Sequence, residues 1–93
     1  MNDREFKVWP DMVGRIRRVG GALIADNAAV MGDVHLGRDV SVWFGVTIRG
    51  DDARIEIGDE TNVQDNTCVH VDVGVPQRIG RGVTIGHGVV LHG

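Results

Sequence analysis

Branched aliphatic residues return along this chain at a fixed interval of six. Ile24, Val30, Leu36, Val42 and Ile48 make a first run, Ile57, Val63 and Val69 a second, and Ile79, Ile85 and Leu91 a third. The joining steps, Ile48 to Ile57 and Val69 to Ile79, are nine and ten residues long, which reads as insertions of three and four residues at corners. A six-residue period suits neither an amphipathic helix, with its repeat of about 3.6, nor a hairpin sheet, with its repeat of two. It suits one short strand and one tight turn, repeated around a parallel β-solenoid.

Three such units close one triangular coil, so residues one coil apart stack in columns. Column A holds Ile24, Val42, Val63 and Ile85; column B holds Val30, Ile48, Val69 and Leu91; column C holds Leu36, Ile57 and Ile79. The residue after each column C aliphatic is a glycine: Gly37, Gly58 and Gly80. A misplaced insertion would have broken that agreement. Four positions after the aliphatics stand small or β-branched residues, Ala28, Val34, Val40, Val46, Thr61, Thr67, Val83 and Val89, which fit the interior of a narrow prism. The β-helix domain is read as residues 23–93. Residues 1–22 fall outside the period, and Trp9, Pro10, Arg15, Arg17 and Arg18 suggest an irregular lead-in that caps the first coil. The sequence stops at Gly93, two units into a fourth coil, so the solenoid is expected to be C-terminally incomplete.

Composition narrows the function. Fourteen glycines, two prolines and no tyrosine suit many short strands and turns. A net charge of -3 argues against a nucleic-acid or anionic-membrane binder. No apolar run reaches the length of a membrane span, and the N-terminal stretch MNDREFKVWPD has no apolar signal core. Cys68 is alone, so no internal disulfide forms, and a cytoplasmic protein is expected.

Column addresses separate the four histidines. His70 follows Val69 and His92 follows Leu91, so both hold one address in column B on successive coils. Neighbouring strands lie about 4.8 Å apart, which lets two such imidazoles reach one ion with bonds of about 2.0–2.1 Å. His87, two residues after Ile85, sits at the column A corner and meets the pair only if a second subunit supplies it across a three-fold axis. His35 lies near the first coil and reads as a surface residue. Arg49 occupies the column B address one coil below His70, and Asp65 the column A address one coil below His87. The interface that joins the histidines would therefore join Arg49 to Asp65, with Asp51 a second partner for Arg49 in its own chain.

The segments VWFGVTIRGD (Val42 to Asp51), IGDETNVQDNTCVHVD (Ile57 to Asp72) and IGHGVVLHG (Ile85 to Gly93) resemble the γ-class carbonic anhydrase-like family. The likeness runs from about Ala22 to Gly93. The repeat alone does not set handedness; the resemblance implies a left-handed parallel β-helix of the hexapeptide-repeat type. It also implies a homotrimer with one metal ion per interface, held by His70 and His92 of one subunit and His87 of the next. Arg49, Asp51 and Asp65 would form the interface ion pairs, and Gln64 with Asn62 would hydrogen-bond the metal-bound water or the substrate. The implied reaction is reversible hydration of CO2 to bicarbonate by a metal-bound hydroxide. Zn2+ is the default ion, with Fe2+ or Co2+ also suited to nitrogen ligands.

The chain departs from the family's catalytic pattern at one place. The acidic loop with a glutamate proton shuttle is replaced by VDVGVPQR, where Asp72 and Asp52 are the nearest carboxylates, which puts turnover in question. Two alternatives stay open: a hexapeptide acyltransferase or thioesterase-like enzyme working on a coenzyme A thioester, and a non-catalytic trimeric scaffold subunit. Metal content separates the first from the carbonic anhydrase reading, and hydration activity separates the second.

Overall fold

The computed structural model describes residues 14–93, so Trp9 and Pro10 lie outside the described residues. The described residues are all-β and wind as a left-handed parallel β-helix of about three turns, a rod of 56 × 23 × 20 Å. In order, its strands are β1 (Ile16–Val19), β2 (Ala22–Ala25), β3 (Ala29–Leu36), β4 (Ser41–Val42), β5 (Thr47–Ile57), β6 (Asn62–Val63), β7 (Cys68–His70), β8 (Gln77–Ile79), β9 (Thr84–Ile85) and β10 (Val90–His92). One sheet runs β1-β2-β4-β6-β9 and the other β10-β7-β5-β3, with β8 alongside β5.

The register is the one the six-residue period predicts. Ile24 pairs with Val42, Val42 with Val63 and Val63 with Ile85. Val30 pairs with Ile48, Ile48 with Val69 and Val69 with Leu91. Leu36 pairs with Ile57 and Ile57 with Ile79. Between Gly32 and Val34 the β3–β5 register shifts, which is where β5 absorbs its extra residues. Backbone hydrogen bonds then run from coil to coil: the Ser41 N–H reaches the Thr61 carbonyl at 3.0 Å, Thr47 reaches Thr67 at 3.0 Å and Cys68 reaches Val89 at 2.9 Å.

Aliphatic side chains fill the prism. Val40, Val42, Ile48, Ile55, Val63, Val69 and Val71 are wholly buried, and Thr61 and Thr67 are the buried polar residues among those described. Short branched side chains suit this space because little width separates three converging strands, and each restricted rotamer costs little to order. Corners turn through left-handed backbone, at φ 57° in Asp39, 62° in Glu60 and 63° in Asn66.

One expectation changes. Within the stretch read as irregular, Ile16–Val19 forms β1, which folds back antiparallel on β2 through a turn at Gly20 and Gly21. The sequence IRRV shows no alternation, and all four residues are exposed, so the period-based reading had no signal to find. Along the column C face, Asp33 takes both His35 (2.6 Å) and Arg54 (3.3 Å), and Glu56 takes Arg54 (3.4 Å) and Arg78 (3.0 Å). These are exposed pairs and contribute little to stability.

The column C glycines give a matched test of packing. A Cβ on Gly58 would lie 2.7 Å from the Gly80 carbonyl carbon and from the Arg81 nitrogen, whereas one on Gly80 would meet nothing within 4 Å. Gly58→Ala should therefore cost about 1–3 kcal/mol through overpacking against backbone. Gly80→Ala should stay within about 0.5 kcal/mol of wild type. Thermal melts of the two variants check this, and equal melting temperatures would contradict the stacking.

Candidate functional site

The residues singled out from the sequence cluster on two edges of the rod. On the column B edge, Met31, Arg49, His70 and His92 stack rung on rung through their strand register. The His70 and His92 rings lie face to face, centroids 5.4 Å apart and planes inclined by 19°. Both imidazoles point outward because their neighbours Val69 and Leu91 point in, as alternation along a strand requires.

His70 is the more enclosed of the two and is the meeting point of three charged groups. Its Nε2 lies 3.1 Å from Asp51 Oδ1, 3.5 Å from Asp52 Oδ2 and 3.2 Å from an Arg49 Nη. The Arg49 and Asp51 contacts demand opposite states of one nitrogen. Bare, Nε2 accepts an N–H from Arg49; protonated, it donates to Asp51. Among the described residues, Asp51, Asp52 and His70 form the one cluster whose potential ligand atoms lie within 4.8 Å of one another. His92 has its own carboxylate, Asp72, at 3.1 Å.

The column A edge carries the remaining candidates. His87 stands in the turn after β9, strongly exposed, with its Nδ1 3.4 Å from Asp65 Oδ1. Asn62 lies on β6, in register with Ser41 below and Thr84 above, and its amide N–H donates to Thr84 Oγ1 at 3.2 Å. Its carbonyl oxygen is buried and meets no protein donor. Gln64 follows β6 on the same outward side, half-buried, with Trp43 one coil below it.

Within a single chain, then, His70 and His92 come together and His87 stays apart at the other corner. Arg49 contacts His70 and Asp65 contacts His87, while Arg49 and Asp65 do not meet. His35, read as a surface residue, is exposed and paired with Asp33. Five contacts had not been assigned from the sequence: Asp51, Asp52 and Arg49 on His70, Asp65 on His87 and Asp72 on His92. Asp51, expected as a partner of Arg49, bonds His70 instead, and Asp52 and Asp72 had been noted only as the carboxylates nearest the short loop. The signal that would have placed them is position: Asp52 opens the β5 insertion, and Asp72 follows His70 by two residues.

The Asp51 carboxyl is held below the ordinary carboxylate range. Partial desolvation pushes it up, but the hydrogen bond with His70, its own backbone N–H and the positive charge of Arg49 outweigh that. A carboxyl depressed in the folded state adds stability that is fully present above its unfolded pKa of about 3.9 and is lost as pH falls through the folded value. Asp51→Asn should accordingly flatten the acid limb of the stability–pH curve below about pH 4. Melting temperatures collected across that range check this; an unaltered acid limb would mean that the Asp51–His70 contact does not persist in solution.

No protein-family model matches the chain. Gamma carbonic anhydrase 3, mitochondrial, from Arabidopsis thaliana is 49% identical over 79 residues, covering 78% of this chain and 31% of the relative. A carbonic anhydrase from Geobacillus kaustophilus is 46% identical over 71 residues, covering 76% of this chain and 39% of the relative. The crystal structure of a hexapeptide transferase family protein from Anaplasma phagocytophilum superposes with a TM-score of 0.74 at 47% identity, over 80% of this chain and 43% of that one. The chain thus spans less than half the length of the relatives it matches. Identity at this level over about three-quarters of the chain shows that it belongs to the γ-carbonic anhydrase-like, hexapeptide-repeat family.

Proposed function

We propose that this protein is a metal-dependent γ-type carbonic anhydrase whose site forms between subunits of a homotrimer. The observation that carries the reading is the His70–His92 pair, two outward imidazoles stacked on adjacent rungs at 5.4 Å. His87 supplies the third nitrogen from the neighbouring subunit, and its exposed position leaves it free to do so. Three neutral imidazoles suit Zn2+ and leave one coordination position open; Fe2+ and Co2+ suit the same donors. When bound, the ion supplies a Lewis acid that brings the pKa of a water to about 7.

The remaining residues take roles around that centre. Asp65, on His87 Nδ1, fixes the ring's tautomer and leaves the other nitrogen for the ion. Arg49 turns from its own His70 to the neighbour's Asp65 and sets the register of the interface. Gln64 and Asn62, on the His87 side, hydrogen-bond the substrate or the reacting water, and the unpartnered Asn62 carbonyl offers an acceptor for that purpose. Beneath this layer, Met31 and Trp43 sit one coil lower on the two edges that would meet, 45% and 37% exposed, where a neighbour would cover them. We place the protein in the cytoplasm, in keeping with the free Cys68.

A second reading has its own support. The stretch after His70 bears no glutamate, and Val73 at its tip is 80% exposed, so Asp72 and Asp52 are the carboxylates left to carry protons away. If they do not suffice, the protein is a trimeric scaffold subunit that holds metal without hydrating CO2. An acyltransferase working without metal is the third outcome.

Metal analysis with a CO2-hydration assay separates them. One ion per chain is expected, lost in His70→Ala, His87→Ala and His92→Ala and retained in His35→Ala. Equal loss in His35→Ala would contradict the site. Metal with no hydration would select the scaffold, and acyl transfer without metal would select the transferase.

A further inference from the structure

Among the described residues, Thr61 and Thr67 are the two polar ones buried in the prism, 0% and 1% exposed. Their hydroxyls make the same pair of bonds to the coil above. Thr67 Oγ1 donates to the Gly86 carbonyl at 2.7 Å and accepts the Val89 N–H at 3.2 Å. Thr61 Oγ1 donates to the Gly80 carbonyl at 2.7 Å and accepts the Val83 N–H at 3.0 Å. In the coils below, the equivalent turns close on their own backbone. Val40 reaches Gly37 at 3.4 Å, Val46 reaches Trp43 at 3.4 Å, Thr61 reaches Gly58 at 3.4 Å and Thr67 reaches Gln64 at 3.3 Å.

In the turns 80–83 and 86–89 the threonine oxygen takes both partners of that closing bond. The cause is the residue underneath. Val40 and Val46 lie below Thr61 and Thr67 and have no hydroxyl to insert, so the turns above them pair internally. A single buried oxygen thus bridges the donor and acceptor of each upper turn, and it belongs to the coil below. One of the two turns carries Arg81. The other carries His87.

We infer that Thr67 is a positioning residue for the third metal ligand: its hydroxyl holds the 86–89 turn open at the width that aims His87 across the subunit interface. This rests on the reading of His87 as a ligand. Asp65 acts on the same turn from the same coil, since its carbonyl accepts the Gly88 N–H at 2.9 Å and its carboxylate faces His87 Nδ1. The ring's tautomer is thereby fixed by Asp65 and its backbone platform by Thr67. Removing the hydroxyl without changing the side chain's shape lets the turn collapse to the direct 86–89 backbone bond that the lower coils make, and the imidazole moves with it.

The repeat supplies its own control. Thr61→Val removes an equivalent hydroxyl bridge from a turn that bears no ligand, so it reports what the bridge is worth to folding alone. Binding of Co2+ to the purified protein, followed by its visible absorption below the melting temperature of every variant, gives the readout. Thr67→Val should weaken Co2+ binding about ten- to a hundred-fold, as loss of an outer-shell support typically does. Thr67→Ser, which keeps the hydroxyl, should bind like wild type, and so should Thr61→Val despite a comparable drop in melting temperature. If Thr67→Val binds Co2+ as Thr61→Val does, the inference is overturned. His87→Ala, titrated alongside, tests the ligand reading by itself: undiminished Co2+ binding there would reject His87 as a ligand.

Discussion

The hydrogen bonds between successive coils govern everything else in this molecule. Each coil must lay its backbone donors and acceptors against those of the coils above and below, at a strand's width. Superposition follows, and a residue's place within the coil fixes its vertical neighbours. The narrow interior follows as well. Three converging strands leave room for valine, isoleucine and a hydroxyl, and they require a glycine wherever the next coil's backbone passes close, as at Gly58. The threonine bridges belong to the same logic, since a buried hydroxyl is tolerated only where the neighbouring coil meets both its donor and its acceptor.

That rigidity explains why, of the three proposed ligands, only two meet within one chain. His70 and His92 share an address and are forced together; His87 holds a different address and is forced away. The single chain satisfies its charges internally, with Arg49, Asp51 and Asp52 gathered at one His70 nitrogen and Asp65 at His87. The competition between Arg49 and Asp51 for that nitrogen disappears if Arg49 swings to a neighbour's Asp65. Association would then exchange an internal compromise for a fully paired arrangement, which is a reason for the interface and the centre to form together.

Much of this was legible in the sequence because the period of six is strict. Ile24 through Ile85 and Val30 through Leu91 stack as the spacing requires, and the stacking of His92 on His70 comes with them. What escaped lies where the period is silent. Strand β1 is held by backbone pairing to β2 and shows no alternation to reveal it. Asp52 and Asp72 sit in corner insertions, whose paths the repeat does not dictate. Thr61 and Thr67 were legible as small interior residues, yet their hydroxyl bridges depend on which atoms the coil above turns toward them. Handedness was never in the spacing; it came with the family likeness.

The claim at the centre of this account is that each metal site draws His70 and His92 from one subunit and His87 from the next. Mixing His70→Ala and His87→Ala subunits tests it most directly. In every mixed trimer one interface joins an intact His70–His92 pair to an intact His87, so bound metal should return, though neither variant binds alone. Failure of metal to return after subunit exchange has been demonstrated would contradict the shared site and, with it, the assignment of ligands by column.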